Sequence, residues 1–281
     1  RDRIELCNEL SRADPEQRAA RFQTLSADTQ QAVFGQLDPA HQQELLERLD
    51  GDLAARLLEA LEPDDRVQLF EQVSPGEIDE LRARLSPSER ALTDRLLAYP
   101  EESAGRIMSP EVLALRPDMR ASEVLQAVRE RGREVETVLA LPVTDEAQRL
   151  LGMTTLDDVV FAEPQARVDD FMQRELPTVR SDEDQEVVAR LMQSADVVAI
   201  PVVDDGGRLL GLVTFDDAMD VMQFEESEDL ARTGAAEPLG RPYFAVPVLR
   251  LIQSRFTWLL LLALAATLTV NVLNAFEATL E

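Results

Sequence analysis

The stretch Ser181–Asp229, SDEDQEVVARLMQSADVVAIPVVDDGGRLLGLVTFDDAMDVMQFEESED, decides the reading of this chain. It opens on acids around Asp184, Gln185 and Glu186 and continues as a helix face of Val187, Val188, Leu191 and Met192. A strand, Val197 to Asp204, turns at Asp205-Gly206-Gly207 into a second strand that ends at Thr214. The β-branched runs bounded by Asp and Gly are strand and turn signals. A further cluster of carboxylates follows: Asp216, Asp217, Asp220, Glu225, Glu226, Glu228 and Asp229. Like charges packed within roughly four helical turns destabilise an isolated helix, so a cationic counterpart is expected.

The same grammar occurs once earlier. Arg149-Leu150-Leu151-Gly152 through Asp158 matches Arg208 through Asp217 at an offset of 59 residues, as does Leu141-Pro142-Val143 with Ile200-Pro201-Val202. Ile107-Met108-Ser109-Pro110 and Phe171-Met172-Gln173-Arg174 are 64 residues apart, so the first copy carries five extra residues, placed around Arg131-Gly132-Arg133. Each copy reads as strand, helix, strand, strand, helix, and two such copies can pack face to face. Before them, Leu25, Leu37, Leu49, Leu61, Val73 and Leu85 recur every twelve residues. Asp38-Pro39, Ser74-Pro75 and Ser86-Pro87 place a capping side chain before a proline at the first helical position. This predicts short helices stacked as a superhelix, each burying one stripe on its neighbours.

The tandem motif resembles a CBS pair. Together with the Asp184-Gln185-Glu186 start, the strand ending at Asp204, the Gly207–Asp217 run and Glu225 to Gly234, it resembles the cytoplasmic region of MgtE-type magnesium transporters. The expected organisation is multidomain, all-α and α+β. It comprises a helical repeat domain (1–100), two CBS domains (101–163 and 164–222), a connecting helix (223–240), and an interfacial segment with a first transmembrane helix (241–281).

The resemblance implies regulatory Mg2+ ligands on or near Asp64, Asp184, Glu186, Asp196, Asp217, Asp220, Glu225, Glu228 and Asp229. Two further ligand positions of the family fall on Ala32 and Gln68, which bring no carboxylate. Mg2+ takes oxygen ligands and keeps several waters, so sparse acids from facing elements can share one ion. For each acid taken singly, a solvated side chain or a helix cap is the plainer reading. CBS pairs also bind adenine nucleotides such as ATP through a Thr-x-x-Asp carboxylate, a spacing met by Thr155/Asp158 and by Thr214/Asp217. Asp157, where some relatives carry arginine, would repel phosphate. The resemblance further implies a homodimer and a pore whose remaining helices lie outside this chain.

Composition agrees with a cation sensor. The formal charge is −26 with arginine as the sole basic side chain besides His41, which excludes nucleic acid as the main partner. One cysteine, Cys7, rules out an internal disulfide. The lone His41, read as a surface residue, leaves no histidine-based metal site or triad, and no nucleophile, base and oxyanion site combine as in an enzyme. The start at Arg1 leads to the expectation of a fragment.

Residues 256–276 hold 21 residues without a charge, enough to span a hydrocarbon core of roughly 30 Å. Asn271 and Asn274 would face another helix or a watery path. Arg250 and Arg255 precede the span, and Glu277 and Glu281 follow it. This places the N-terminal and CBS domains on the cytoplasmic side of the inner (plasma) membrane.

Overall fold

The structure, a computed structural model, describes residues 3–73, 75–233, 260 and 263–270. It divides into a unit of residues 1–219 and a second of residues 220–281.

The first unit begins with α1 (Arg3–Arg12), α2 (Pro15–Gln23), α3 (Ala27–Phe34), α4 (Pro39–Leu46), α5 (Gly51–Ala60), α6 (Pro63–Gln72), α7 (Pro75–Arg84) and α8 (Pro87–Leu97). Asp14, Asp38, Asp50 and Ser86 accept from the backbone N–H three residues on, at 2.9, 3.1, 2.8 and 3.4 Å, as N-caps should. Ser74 lies outside the described residues.

Each helix packs chiefly on the helix two places along, α2 on α4, α4 on α6, α6 on α8, which is the superhelical stacking expected of the repeat. Leu37, Leu49, Leu61, Val73 and Leu85 are all buried, and Leu25 packs on the same core with Phe22, Phe34, Leu57, Leu58 and Phe70. Each leucine so buried is worth about 1.5–3 kcal/mol relative to exposure.

A second twelve-residue device went unread in the sequence. Arg18 Nε, Gln30 Nε2, Gln42 Nε2, Arg66 Nε and Arg90 Nε each donate to the carbonyl eight residues earlier, at 2.9–3.0 Å. These carbonyls lie at the ends of the preceding helices, where those of Leu10, Phe22, Phe34 and Arg82 also accept from the backbone N–H three residues on. The long polar side chain of one helix thereby closes the helix before it. His41 also departs from the surface reading: its side chain is only 12% exposed and sits against the Asp38 carboxylate.

The two CBS copies follow. The first has α9 (Ala121–Arg131), β1 (Ala140–Thr144), β2 (Leu150–Thr155) and α10 (Leu156–Phe161). The second has α11 (Val168–Phe171), β3 (Val179–Arg180), α12 (Gln185–Ala195), β4 (Ala199–Val203), β5 (Leu209–Thr214) and α13 (Phe215–Thr233). β1 and β2 are antiparallel, as are β4 and β5, and both pairs carry the same irregularity, at Val143/Thr144 and at Val202/Val203. The first strand expected in copy one is reduced to a single parallel bridge, Leu115 to Val143, whereas β3 pairs with β4 over two residues.

The copies are stitched by exchanged segments. Ser109 bridges to Leu212 of the second copy, and Gln173 to Met153 of the first. Both crossings need glycine alongside. A Cβ on Gly211 would meet the Ser109 carbonyl oxygen at 2.4 Å, and one on Gly152 the Gln173 carbonyl oxygen at 2.5 Å. The five extra residues of copy one fall between α9 and β1, as their sequence position indicates.

α13 runs unbroken from Phe215 to Thr233, so no gap separates the last CBS helix from the expected connecting helix. Among the described residues no helix is long and apolar enough to cross a membrane. Most of the expected span at 256–276, with Asn271 and Asn274, lies outside the described residues. Within it, residues 263–270 are helical, and the Thr267 and Thr269 hydroxyls donate to the carbonyls four residues back.

Candidate functional site

Three parts of the first unit bring carboxylates together. Proline at the start of α6 sets a helix whose N-cap is Glu62 and whose second residue is Asp64. Asp64 therefore does not cap its helix. It is 1% exposed, and its Oδ1 is buried without a hydrogen-bond partner. Burial, reinforced by Asp217, Glu136 and Asp65, holds its carboxyl well above the usual range.

Asp217, in the first turn of α13, is 9% exposed and accepts a hydrogen bond from the Thr214 hydroxyl. Burial pushes it up to about 6; the Thr214 bond opposes the rise, and Asp216 and Glu62 add to it. Glu136, in the extra segment before β1, is pushed up to about 8, first by burial and then by Glu62 and Asp217, with the nearby Ser109 hydroxyl opposing the rise. Its Oε2 is buried with no partner.

The charges that act most strongly on Asp64 are all negative. Such a group of acids is costly to desolvate unless protonated or matched by a cation. Glu136, but neither Asp64 nor Asp217, lines a cavity of about 310 Å³, together with Glu62, Arg66, Glu89, Glu111 and Arg133 among others. Glu62 and Glu111 are raised there as well, in each case chiefly by burial. Arg66 is committed elsewhere, to Glu89, Thr93 and two backbone carbonyls. Among the described residues, no group of three or more His, Cys, Asp or Glu side chains stands in direct metal-binding geometry.

The other expected ligands have local occupations. Asp184 caps α12, accepting from Glu186 N at 2.8 Å, and Glu186 pairs with Arg190 one turn on. Asp196 ends α12 in the left-handed conformation, φ 53°. Asp220 and Glu225 belong to the second unit, and the side chains of Glu228 and Asp229 lie outside the described residues.

Of the two Thr-x-x-Asp pairs, Thr155 and Asp158 form a reciprocal cap at the start of α10, with the hydroxyl and carboxylate 2.7 Å apart and Asp158 exposed. Thr214 is buried and spends its hydroxyl on Asp217. Glu136 escaped the sequence reading. Its one signal was the length difference between the copies.

Comparison with known proteins gives this geometry its setting. Residues 2–102 match the MgtE intracellular N domain, and residues 104–164 and 168–223 match the CBS domain. The magnesium transporter MgtE of Thermus thermophilus is 40% identical over 192 residues, 68% of this chain and 43% of its own length. The crystal structure of the cytosolic domain of the Mg2+ channel MgtE in complex with ATP aligns at TM-score 0.59 and 34% identity, covering 78% of this chain and 95% of that one. The chain belongs to the MgtE family.

The MgtE relative from Bacillus subtilis is 29% identical over 195 residues, again 43% of its length, so this chain spans less than half of these two MgtE relatives. The soluble part of a magnesium transporter shares the fold at TM-score 0.63 and 24% identity, covering 79% of this chain and 98% of that one. Enzymes that share sequence with this MgtE chain, such as inosine-5'-monophosphate dehydrogenase, match through the CBS domains alone, which agrees with the non-enzymatic reading.

Proposed function

We propose that the chain is the cytoplasmic, Mg2+-sensing part of a magnesium transporter or channel. The observation that carries this reading is the convergence of Asp64, Glu136 and Asp217 from the helical domain, the first CBS copy and the second. Their mutual repulsion disfavours closure of the helical domain on the CBS pair at low Mg2+. An ion shared among them reverses the sign of the interaction. The coupling requires Mg2+ to bind the closed arrangement more tightly than the open one. α13 begins beside Asp217 and continues to Thr233 as the connecting helix. Through it, closure would be passed to a membrane span at 256–276, in a homodimer whose sensor lies in the cytoplasm at the inner (plasma) membrane. Asp184, Glu186, Asp196, Asp220, Glu225, Glu228 and Asp229 belong to further Mg2+ positions in this reading. The domain limits given above are part of the same proposal.

Titration of the full chain with Mg2+ by calorimetry, with limited proteolysis of the same samples, tests this. The expected result is saturable binding accompanied by protection, both lost in Asp217→Ala/Asp220→Ala. Equal protease sensitivity with and without millimolar Mg2+ overturns it.

A second reading is adenine-nucleotide binding. The relative solved with ATP is 34% identical over nearly its whole length. In this chain the Thr155/Asp158 pair, with Thr155 half-buried and Asp158 exposed, is better placed to meet a ribose than the buried Thr214/Asp217 pair. ATP binding that persists in EDTA and is lost in Thr155→Ala is expected on this reading. Binding lost in Thr214→Ala instead moves the site to the second copy.

A further inference from the structure

The extra residues between α9 and β1 make a detour with no counterpart in the second copy, where α12 gives way to β4 after Asp196-Val197-Val198. The detour is tightly built. A Cβ on Gly132 would meet the Val128 carbonyl oxygen at 2.4 Å and Val138 Cγ1 at 2.9 Å, so only glycine admits the close approach. The Glu136 N–H donates to the Glu111 carbonyl at 2.9 Å, fixing the backbone where the side chain departs.

That side chain does not turn to water. Its Oε2 is buried and without a hydrogen-bond partner, and it lies within electrostatic reach of Glu62, Asp216 and Asp217. Facing it from α6, Asp64 is 1% exposed with its own Oδ1 buried and unpartnered. Two buried carboxylate oxygens without donors, from separate domains, are stable together only when protonated or when something positive lies between them. Glu136 also lines a cavity of about 310 Å³, which has room for an ion and its waters, although neither Asp64 nor Asp217 lines it. Arg133 also lines that cavity, but it is exposed, and Arg66 is saturated by its own bonds.

We infer that Glu136 is a third carboxylate of a hydrated divalent-cation site shared with Asp64 and Asp217, supplied by the insertion in the first CBS copy. The inference rests on the Mg2+-sensing reading above and adds a residue to it. The insertion thereby makes the first CBS copy a direct participant in sensing, and the ion clamps three segments rather than two.

Mn2+, read by its paramagnetic resonance signal, and Mg2+, by calorimetry, are titrated into the full chain, Glu136→Gln, Asp217→Asn and a control, Glu134→Gln. Glu134 is exposed in the same cavity. The expected result is affinity weakened about ten- to a hundredfold in Glu136→Gln, as for loss of a group that orients or completes a metal site, with Glu134→Gln unchanged. Unfolding in EDTA separates ligand from scaffold: a metal-free midpoint equal to or above the parent's accompanies loss of a ligand. A lowered midpoint would mark Glu136 as a packing residue and overturn the inference. Unchanged affinity in Glu136→Gln with loss in Asp217→Asn overturns it and leaves the sensing reading intact. Unchanged affinity in both overturns the two together.

Discussion

Arg66→Met destabilises the helical domain by about 3–5 kcal/mol, the usual result of removing one partner from a buried charged network. Arg66 is 1% exposed. Its Nε donates to Leu58 O at 2.9 Å, one terminal nitrogen to Leu61 O at 2.8 Å, and the other to Glu89 at 2.9 Å and Thr93 Oγ1 at 3.1 Å. Methionine fills much of the volume and serves none of these acceptors. The carbonyls that end α5 are left without donors, and the Glu89 carboxylate loses its counter-charge where it already raises Glu111. Lysine rescues little, because one ammonium cannot span acceptors arranged around a planar fork.

Arg90 is the internal control. It makes the same bond to the carbonyl eight residues back, at 2.9 Å, but from an exposed position. Water replaces its donors when it is lost, so Arg90→Met costs below about 1 kcal/mol. Thermal unfolding in EDTA reads both. At about 4–8 °C per kcal/mol for a domain of about 100 residues, Arg66→Met lowers the midpoint by roughly 20 °C. Equal shifts in the two variants would show that the repeated bond itself, and not its burial, sets the cost.

In the absence of divalent cations, stability falls as pH rises from about 5 to 8, and Mg2+ binding strengthens over the same range. Glu136 keeps its proton to about 8 and Asp217 to about 6. Asp64 is displaced in the same direction by burial and by Asp217, Glu136 and Asp65. In the unfolded chain such groups ionise near 4. Between those values the folded state binds more protons than the unfolded one, so raising the pH favours unfolding until the folded-state values are passed. The displacement of Asp217 alone corresponds to a loss of about 3 kcal/mol. Carboxylates held below their usual range, such as Asp182 by its bond from Arg180, act in the opposite sense at lower pH and do not mask this window.

Mg2+ must expel the protons that the cluster holds, so its affinity rises about tenfold per pH unit for each proton released. Calorimetry in buffers of different ionisation enthalpy counts those protons directly. Stability that climbs from pH 5 to 8 in EDTA would contradict a buried, mutually repelling cluster. Binding without proton release near neutral pH would place the ion away from Glu136.

Much of this molecule is legible in the chain itself. The twelve-residue apolar repeat and the Asp-Pro and Ser-Pro helix starts specify short stacked helices, because local capping and one buried stripe per helix depend only on nearby sequence. The paired Gly-Leu-Val-Thr and Gly-Met-Thr-Thr runs specify two equivalent hairpins with the same register irregularity. The five-residue length difference between the copies locates the insertion. Arg18, Gln30, Gln42, Arg66 and Arg90 are also separated by twelve residues or by multiples of twelve, a signal present in the sequence.

What the chain alone determined, then, was its elements, its two repeats and its surplus of acid. Which acids matter was decided by the tertiary structure. Asp64 and Asp184 both sit at the starts of helices, yet Asp184 is an exposed cap and Asp64 is sealed and unpartnered. Burial is set by what packs against a residue from distant segments, and the charges that reach Asp64 come from the first CBS insertion and from α13. Glu136 was one of many acids in the sequence, and only the fold brings it within electrostatic reach of Asp64 and Asp217. Desolvation and repulsion between groups far apart in the chain carry no local signature, so only the packed chain could distinguish a cation site from a solvated face.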